Sequence, residues 1–173
     1  FIVEPTAERN YYTLVTSGMG AHRMNVPKEL AEYKLERAEI VVYLPADWNI
    51  SDHEEKNYWP LRWLKILARL PLEEDSWLGW GHSVPNGKPF AENTQLSSVL
   101  LINPENVEEG AAVCQLPNGE EVNFYQMIPL YEEEVNFKIQ NGAETLLGKM
   151  GEISAVVDIH RLNVCEGFGR PKE

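Results

Sequence analysis

The chain has 173 residues, of which 43% are hydrophobic and 24% charged, and its formal net charge is −12. This length suits one domain or a tightly joined pair of subdomains, and the composition is typical of a globular protein with a hydrophobic core. The negative charge argues against nucleic acid or an anionic membrane as a main partner, because both repel such a surface. No apolar run approaches the roughly 20 residues of a transmembrane helix.

Cysteine usage favours a reducing compartment. Cys114 and Cys165 form neither a CxxC pair nor a spacing with histidine that suits zinc, so we predict no disulfide framework and no zinc site. A cytoplasmic location is the expectation. The sequence starts at Phe1 rather than at methionine, so the missing signal peptide carries little weight.

Two strands are predicted in the first quarter of the chain. Residues 11–16, "YYTLVT", are β-branched and aromatic, as strands usually are. Residues 38–45, "AEIVVYLP", are a nearly continuous apolar run, which indicates a strand that is buried on both faces of a sheet.

A helix is predicted over residues 59–70, "WPLRWLKILARL", with Pro60 in its first turn and Pro71 at its end. Its apolar residues recur at positions i, i+3, i+4 and i+7: Trp63, Ile66, Leu67 and Leu70. On the opposite side lie Arg62, Lys65 and Arg69. The sequence leaves open whether this basic stripe is exposed, lies on an interface or pairs with the chain's own carboxylates.

Asn-Gly appears twice between extended segments, at 85–88 and at 117–120. Asn and Gly accept the positive φ of a type I′ turn, so both places predict such a turn. The second is predicted to join a strand at 111–116 to a half-buried strand at 121–128. Residues 96–102, "LSSVLLI", predict a further central strand.

The last part of the chain is predicted to be mostly helical up to Met150. Residues 131–150 form a helix in which Asn141-Gly142 breaks the pattern and starts a second short helix. The acidic first turn suits the helix dipole, and residues 153–162 predict a last strand. Helices between hairpin-joined strands indicate an α+β fold with a central, mostly antiparallel β-sheet flanked by α-helices.

The titratable residues give no catalytic or metal-binding pattern. The four histidines stand alone in the sequence, outside any HExxH or HxH arrangement: His22, His53, His82 and His160. The acidic runs at 73–75 and 132–134 are expected to be solvated loops or helix starts rather than acid–base pairs. We therefore predict no catalytic residue, no metal and no cofactor.

The stretch "SWLGWGHSVPNG", residues 76–87, places a histidine beside a serine. It lacks the second glycine of the GxSxG nucleophile motif. Neighbouring side chains on a strand point to opposite faces, so His82 would not activate Ser83; Trp80 and His82 would share one face. The glycines of "SGMG", residues 17–20, lack the pattern of a phosphate loop and are expected to serve the end of a strand.

A candidate binding surface follows from the aromatic residues in irregular segments. Asp47 and Trp48 lie in the loop "PADW", and Trp77, Trp80 and His82 lie in the glycine-containing stretch. Tryptophan is a common anchor of protein interfaces, and loops often carry binding residues. We expect these five residues to bind a partner, with acidic loops supplying electrostatic steering.

Several segments in order resemble the suppressor of fused family: "YYTLVTSGMGAHRMNVP", "ERAEIVVYLPADW", "YWPLRWLKILARLP", "WLGWGHSVPNGKPF", "LLINPE" and "FYQMIPLYEEEVNFKIQNGAETLL". The chain looks like a bacterial member, and the resemblance covers residues 5–150. It implies a mixed fold around a largely antiparallel sheet, with no known enzymatic activity and no cofactor. The domain is placed at 1–150, with its usual first segment shortened before Phe1, and residues 151–173 form a C-terminal extension.

The resemblance implies a protein partner. Eukaryotic members bind and restrain a transcription factor in Hedgehog signalling, clamping a short peptide as an added strand. Bacterial members often accompany polymorphic toxins and are inferred to be immunity proteins. The first expectation is therefore a cytoplasmic, non-enzymatic immunity protein against a basic toxin. A peptide-binding adaptor that works by β-strand addition is the second, and a small-molecule or enzymatic site around His82 is the third.

Overall fold

The computed structural model describes residues 1–105, 107–151 and 155–169. A mixed sheet is its frame, with the strand order β1-β2-β3-β7-β5-β4 and with β6 paired to β7. The strands are β1 Ile2–Val3, β2 Tyr11–Val15, β3 Ala38–Pro45, β4 Ser83–Pro85, β5 Ser98–Ile102, β6 Val113–Gln115 and β7 Glu121–Leu130. Each of these pairs is antiparallel except β3 with β7, which is parallel. The predicted α+β fold with a mostly antiparallel sheet is confirmed.

Three α-helices flank the sheet, and two short 3₁₀ helices precede β3. They are α1 Glu55–Glu73, α2 Glu132–Asn141, α3 Ala143–Met150, and the 3₁₀ helices Met19–Ala21 and Lys28–Tyr33. Gly142 has a φ of 89° and separates α2 from α3, which confirms the predicted break at Asn141-Gly142. None of the helices in the described residues is long and apolar enough to cross a membrane.

The predicted bounds of α1 are wrong, since the helix begins at Glu55 and continues through both prolines. Pro60 lies in the second turn and has no N–H for the carbonyl of Lys56. The side-chain amide of Asn93 donates to that carbonyl instead, at 3.4 Å. Pro71 still fits the helix, which ends two residues later with a hydrogen bond from the N–H of Glu74 to the carbonyl of Leu70.

The central strands are buried on both faces, as predicted for 38–45. On one face, alternate residues of β3, β5 and β7 pack against α1: Ile40, Val42, Leu44, Val99, Leu101, Tyr125 and Met127 with Trp59, Trp63 and Leu67. On the other face, β5 and β7 pack against α2 and α3. Ile66 does not belong to the buried side of α1, where the sequence placed it, because 36% of its surface is exposed.

The loop of the hairpin between β6 and β7 is one residue longer than the two-residue loop of a type I′ hairpin. The N–H of Gly119 donates to the carbonyl of Leu116, and only Gly119 has a positive φ, of 82°. Pro117 has its φ locked near −65°, which suits the second position of a type I turn. The predicted type I′ turn is therefore wrong here, and a three-residue loop with glycine in the left-handed region replaces it.

The Asn-Gly at 86–87 does not form a hairpin either. Gly87 has a φ of 76°, but β4 pairs with β5, which begins only at Ser98. The side-chain amide of Asn86 donates to the carbonyl of Lys88 at 2.7 Å. Asn86 thus closes a local turn at the start of a long loop.

The C-terminal segment packs against both the sheet and α2. Val156 makes a parallel bridge with Tyr43, and the N–H of Val157 donates to the Tyr43 carbonyl at 2.9 Å. Residues 153–154 of the predicted last strand lie outside the described residues. Further on, the guanidinium of Arg161 donates to both carboxylate oxygens of Glu134, at 2.6 and 2.5 Å. Burial of this pair shows that Glu134 is not the solvated carboxylate that the acidic run suggests.

Candidate functional site

A tight turn at residues 79–82 presents Trp80 to solvent. The N–H of His82 donates to the carbonyl of Gly79 at 3.1 Å, and Gly81 at the third position has a φ of 79°. Positive φ at the third position alone defines a type II turn, in which glycine is favoured. Trp80 takes the second position, at the tip, and keeps 39% of its surface exposed.

The turn is joined to the sheet by a β-bulge. The N–H of Gly81 donates to the carbonyl of Leu101 at 2.7 Å, while the N–H of Leu101 donates to the carbonyl of His82 at 2.9 Å. Two residues, the first a left-handed glycine, therefore oppose one residue of β5, as in a G1 bulge. This pairing fixes the position of Trp80 relative to the edge of the sheet.

The two glycines of the turn are required for different reasons, a lack of space at Gly79 and a positive φ of 79° at Gly81. A Cβ at Gly79 would lie 2.6 Å from Cζ3 of Trp77, so the indole ring occupies the space beside the turn. A Cβ at Gly81 would lie 3.5 Å from the Cβ of Ala143, the first residue of α3. The turn is thus held between the Trp77 ring and the start of α3.

The side chain of His82 helps to support this turn. Its imidazole packs edge-on against the indole of Trp77, with 4.3 Å between ring centroids. Burial lowers the pKa of His82; a hydrogen bond to the backbone of Trp77 opposes this shift, and the charge of Lys138 adds to it. The expectation that Trp80 and His82 share a strand face is wrong, because β4 begins only at Ser83.

Ser83 is hydrogen-bonded to a residue that the sequence did not suggest. The ammonium of Lys138, in α2, donates to the hydroxyl oxygen of Ser83 at 3.2 Å. Burial lowers the pKa of Lys138. This contact ties α2 to the edge strand β4 next to the turn.

The five predicted binding residues divide into two groups. Trp48 is half-buried, donates from its indole N–H to the carbonyl of Asn57 at 2.9 Å and packs against Trp59. Asp47 is exposed beside it. This pair lies near the beginning of α1, whereas Trp77, Trp80 and His82 follow its end. The intervening helix of 19 residues is about 28 Å long, so the structure brings the last three together and leaves Asp47 and Trp48 apart.

Exposed carboxylates lie in the two segments next to the Trp80 turn. Glu73, Glu74 and Asp75 are exposed at the end of α1. Glu144 is exposed in α3 next to Ala143, the residue that faces Gly81. We refer to Trp80 with Glu73, Glu74, Asp75 and Glu144 as the Trp80 surface. The sequence could not add Glu144 to it, because only folding brings the start of α3 to the turn.

The glycine-rich loop at 17–20 binds the chain's own carboxylate. The N–H groups of Gly18 and Gly20 donate to Oε1 of Glu39 at 2.9 and 3.0 Å, and the hydroxyl of Thr16 donates to Oε2. Gly18 has a φ of 107°, and a Cβ at Gly20 would meet Val122 at 2.9 Å. These glycines therefore have conformational and packing roles at the end of β2.

Two further observations concern metal binding and surface cavities. Within residues 1–105, 107–151 and 155–169, no three His, Cys, Asp or Glu side chains are placed to hold a metal ion. A surface cavity of about 490 Å³ lies between α1 and residues 88–92, and His82 does not line it.

The sheet order, the parallel β3–β7 pair and the helices on both faces define an α+β domain with one mixed sheet. The model of the family described as suppressor of fused protein matches residues 1–162. The chain therefore belongs to the suppressor of fused family, and the match extends beyond Met150 into the segment that packs against α2.

Individual relatives agree with this assignment. The protein UU111 of Ureaplasma parvum is 28% identical over 155 residues, which cover 89% of this chain and 74% of that protein. A suppressor of fused homologue from Neisseria gonorrhoeae FA 1090 superposes with a TM-score of 0.66 at 20% identity, covering 94% of this chain and 75% of that chain.

Two further solved structures share the fold as well. The Sufu-Fu complex gives a TM-score of 0.67 at 15% identity and covers 97% of this chain and 77% of that chain. Drosophila Suppressor of Fused gives 0.66 at 16% identity. The match covers 97% of this chain but only 42% of the Drosophila chain.

Proposed function

We propose that this chain is a protein-binding domain that neutralises a basic toxin in the cytoplasm through the Trp80 surface. The observation that carries the proposal is the exposure of Trp80 at the tip of a turn fixed by two glycines and a β-bulge. A rigidly held tryptophan loses little conformational freedom on binding, which is why such residues dominate interface energetics.

Charge specifies the expected partner. The carboxylates of Glu73, Glu74, Asp75 and Glu144 are exposed in the segments next to the Trp80 turn, and the chain as a whole carries a net charge of −12. Such a surface attracts a basic protein over long distances and accelerates its association, with a strong dependence on salt. Nucleic-acid-cleaving toxins need a basic active-site surface, so an acidic partner can cover it.

The family assignment supports a protein partner. One solved structure with the same fold is the Sufu-Fu complex, in which a family member is bound to another protein. Family membership also favours a binding role for this chain over an enzymatic one.

The alternatives receive less support from the structure. The edge strands β1 and β4 have two and three residues, and Pro85 in β4 has no N–H, so they offer few backbone groups for β-strand addition. A small-molecule or enzymatic site around His82 would need a cleft. The imidazole instead packs against Trp77.

The test begins with partner isolation from the native host at low and at high salt, followed by mass spectrometry. The recovered protein is then expressed in bacteria with and without this chain. The proposal predicts a basic protein that is lost at high salt, arrests growth when expressed alone and is harmless when co-expressed. A stoichiometric partner that does not inhibit growth, or the absence of any partner for the folded chain, would contradict the toxin assignment.

A further inference from the structure

The exposed face of α1 carries a basic stripe that the proposed function does not use. Arg62, Lys65 and Arg69 lie on this face, with Lys65 and Arg69 exposed and Arg62 half-buried. Two apolar residues accompany them, Ile66 with 36% and Leu72 with 57% of their surface exposed. Spacings of three, four and seven residues put all five on one side of the helix.

The surface cavity continues this stripe at the beginning of α1. Arg62 belongs to both, and the cavity is further lined by Lys88, Phe90 and Ala91 from the loop that follows β4, with Glu55 and Glu92 at its rim. Its volume of about 490 Å³ falls within the range of roughly 300–1,000 Å³ that is usual for ligand pockets. Apolar side chains beside the ammonium of Lys88 suit an apolar group next to an anion, whereas Arg62 is already paired with Glu55.

Two of the four cations on this face have no intramolecular partner among the residues that the structure describes. Arg62 is paired with Glu55, and the ammonium of Lys65 donates to the hydroxyl oxygen of Tyr58 at 2.7 Å. Among the residues that the structure describes, the Lys and Arg side chains without a hydrogen-bond, carboxylate or ring partner are Lys28, Arg69 and Lys88. Two of these unpaired cations, Arg69 and Lys88, belong to this face. In a chain with such an excess of carboxylates, their isolation leaves a local site for an external anion.

The charges of this face sum to a positive value. It has four cations, Arg62, Lys65, Arg69 and Lys88, and three carboxylates, Glu55, Glu73 and Glu92, which gives +1 in a chain with a net charge of −12. The acidic run begins at Glu73, directly after Leu72. The positive region therefore ends there, and its length from Arg62 to Leu72 is about 15 Å at the rise of an α-helix.

We infer that this face of α1 binds a short acidic segment of a partner protein, with one large apolar side chain in the cavity over Phe90. Carboxylates of the acidic segment pair with Arg69 and Lys88. The side chains of Ile66 and Leu72 pack against the apolar atoms of that segment. About five extended residues span the positive region. Nucleic acid is disfavoured, because Glu55, Glu92 and the acidic run would repel a continuous polyanion.

This inference goes beyond the proposed function, since the occupant has the opposite charge to the basic toxin and binds another surface. The test uses the full-length chain and a phage-displayed library of random 12-residue peptides. Enriched peptides are synthesised with a fluorescent label, and their dissociation constants are measured for the parent chain and for four variants. Arg69→Glu and Lys88→Glu reverse the two unpaired charges, Lys28→Glu makes the same change elsewhere, and Trp80→Ala alters the other surface.

The expected peptides combine Asp or Glu with one large apolar residue and bind less tightly as salt rises. Affinity falls by at least about tenfold in Arg69→Glu and in Lys88→Glu, and stays within about twofold in Lys28→Glu and Trp80→Ala. Each variant is checked by circular dichroism and urea unfolding; all four substituted side chains are exposed.

Several results would overturn the inference. One is that panning enriches no peptide, or enriches peptides without acidic residues. Another is that Lys28→Glu weakens binding as much as Arg69→Glu and Lys88→Glu do. A third is that a single-stranded oligonucleotide binds more tightly than the peptides and shows the same dependence on Arg69 and Lys88.

Discussion

The imidazole of His82 packs against the indole of Trp77, with 4.3 Å between the ring centroids and 64° between the ring planes. The same indole fills the space beside Gly79, where no Cβ could be placed. The two rings and the glycines thus support a turn that exposes Trp80. The histidine of "WLGWGHS" is part of a scaffold, and the tryptophan that it helps to position is the proposed contact residue.

The burial of His82 predicts a specific pH dependence of stability. Because burial lowers the pKa of His82 in the folded chain below its ordinary value of 6.5, the unfolded chain binds a proton that the folded chain binds less readily. The free energy of unfolding is unaffected by this residue above pH 6.5. It falls as the pH decreases from 6.5 towards the lower pKa of the folded state.

Urea unfolding between about pH 8 and pH 5 checks this expectation. We expect His82→Gln to lose less stability over this range than the parent chain, since glutamine does not titrate. His22→Gln, at an exposed position, is the matched control and should follow the parent chain. Parallel curves for His82→Gln and the parent chain would contradict the proposed effect of burial.

The backbone of the turn predicts a difference between two glycine-to-alanine substitutions. Gly81→Ala places a side chain at a φ of 79° and against Ala143, and we expect it to lower the free energy of unfolding by about 1–2 kcal/mol. Gly148→Ala lies inside α3 with open space around the new methyl group. It should raise stability by up to about 1 kcal/mol. Chemical unfolding measures both, and a neutral Gly81→Ala would show that the left-handed turn is not required.

The ion pair between Arg161 and Glu134 predicts a large cost of truncation. Only 8% of the Arg161 side chain and 0% of the Glu134 side chain are exposed. Arg161→Ala leaves a buried carboxylate unpaired, so we expect a loss of about 3–5 kcal/mol. Arg23→Ala removes an exposed partner of Glu120 and should cost about 0–1 kcal/mol.

Glu134→Gln provides a milder version of this test. Glutamine keeps an acceptor for Arg161 but removes the charge. The Glu134→Gln variant should therefore be less stable than the parent chain and more stable than Arg161→Ala. If Arg161→Ala unfolds at the same urea concentration as Arg23→Ala, the segment around Arg161 does not contribute to the fold as the structure indicates.

The sequence predicted the strands and helices whose residues form long local patterns. The apolar run of β3 and the glycine between α2 and α3 are examples. A strand buried on both faces has a continuous apolar sequence, and a break between two helices has a glycine at the position of the break. The start of α1 was missed because the sequence placed Pro60 in the first turn, whereas in the structure the carbonyl that Pro60 leaves without a helical partner accepts from the amide of Asn93, 33 residues away in the chain. The predicted type I′ turn at 117–120 was wrong because Pro117 is itself part of the loop, and the one at 85–88 was wrong because the strand that pairs with β4 begins only at Ser98.

The candidate site was predictable only in part. Trp77, Trp80 and His82 are close in sequence and remain together in the structure. Glu144 and Lys138 reach the same region through the packing of α2 and α3 against the edge of the sheet, which no short motif encodes. Trp48 was grouped with them on composition, but it lies at the other end of α1 and donates its indole N–H to Asn57.

The most direct test of the account is the affinity of the isolated partner for Trp80→Ala, measured by calorimetry with purified proteins. Tyr33→Ala is the control, since Tyr33 is a 58% exposed aromatic residue in another element. The account predicts that Trp80→Ala folds normally and weakens binding by at least about 30-fold, the effect of an interface hot spot. Tyr33→Ala should bind like the parent chain. Equal affinities for the two variants would contradict a role of Trp80 in binding.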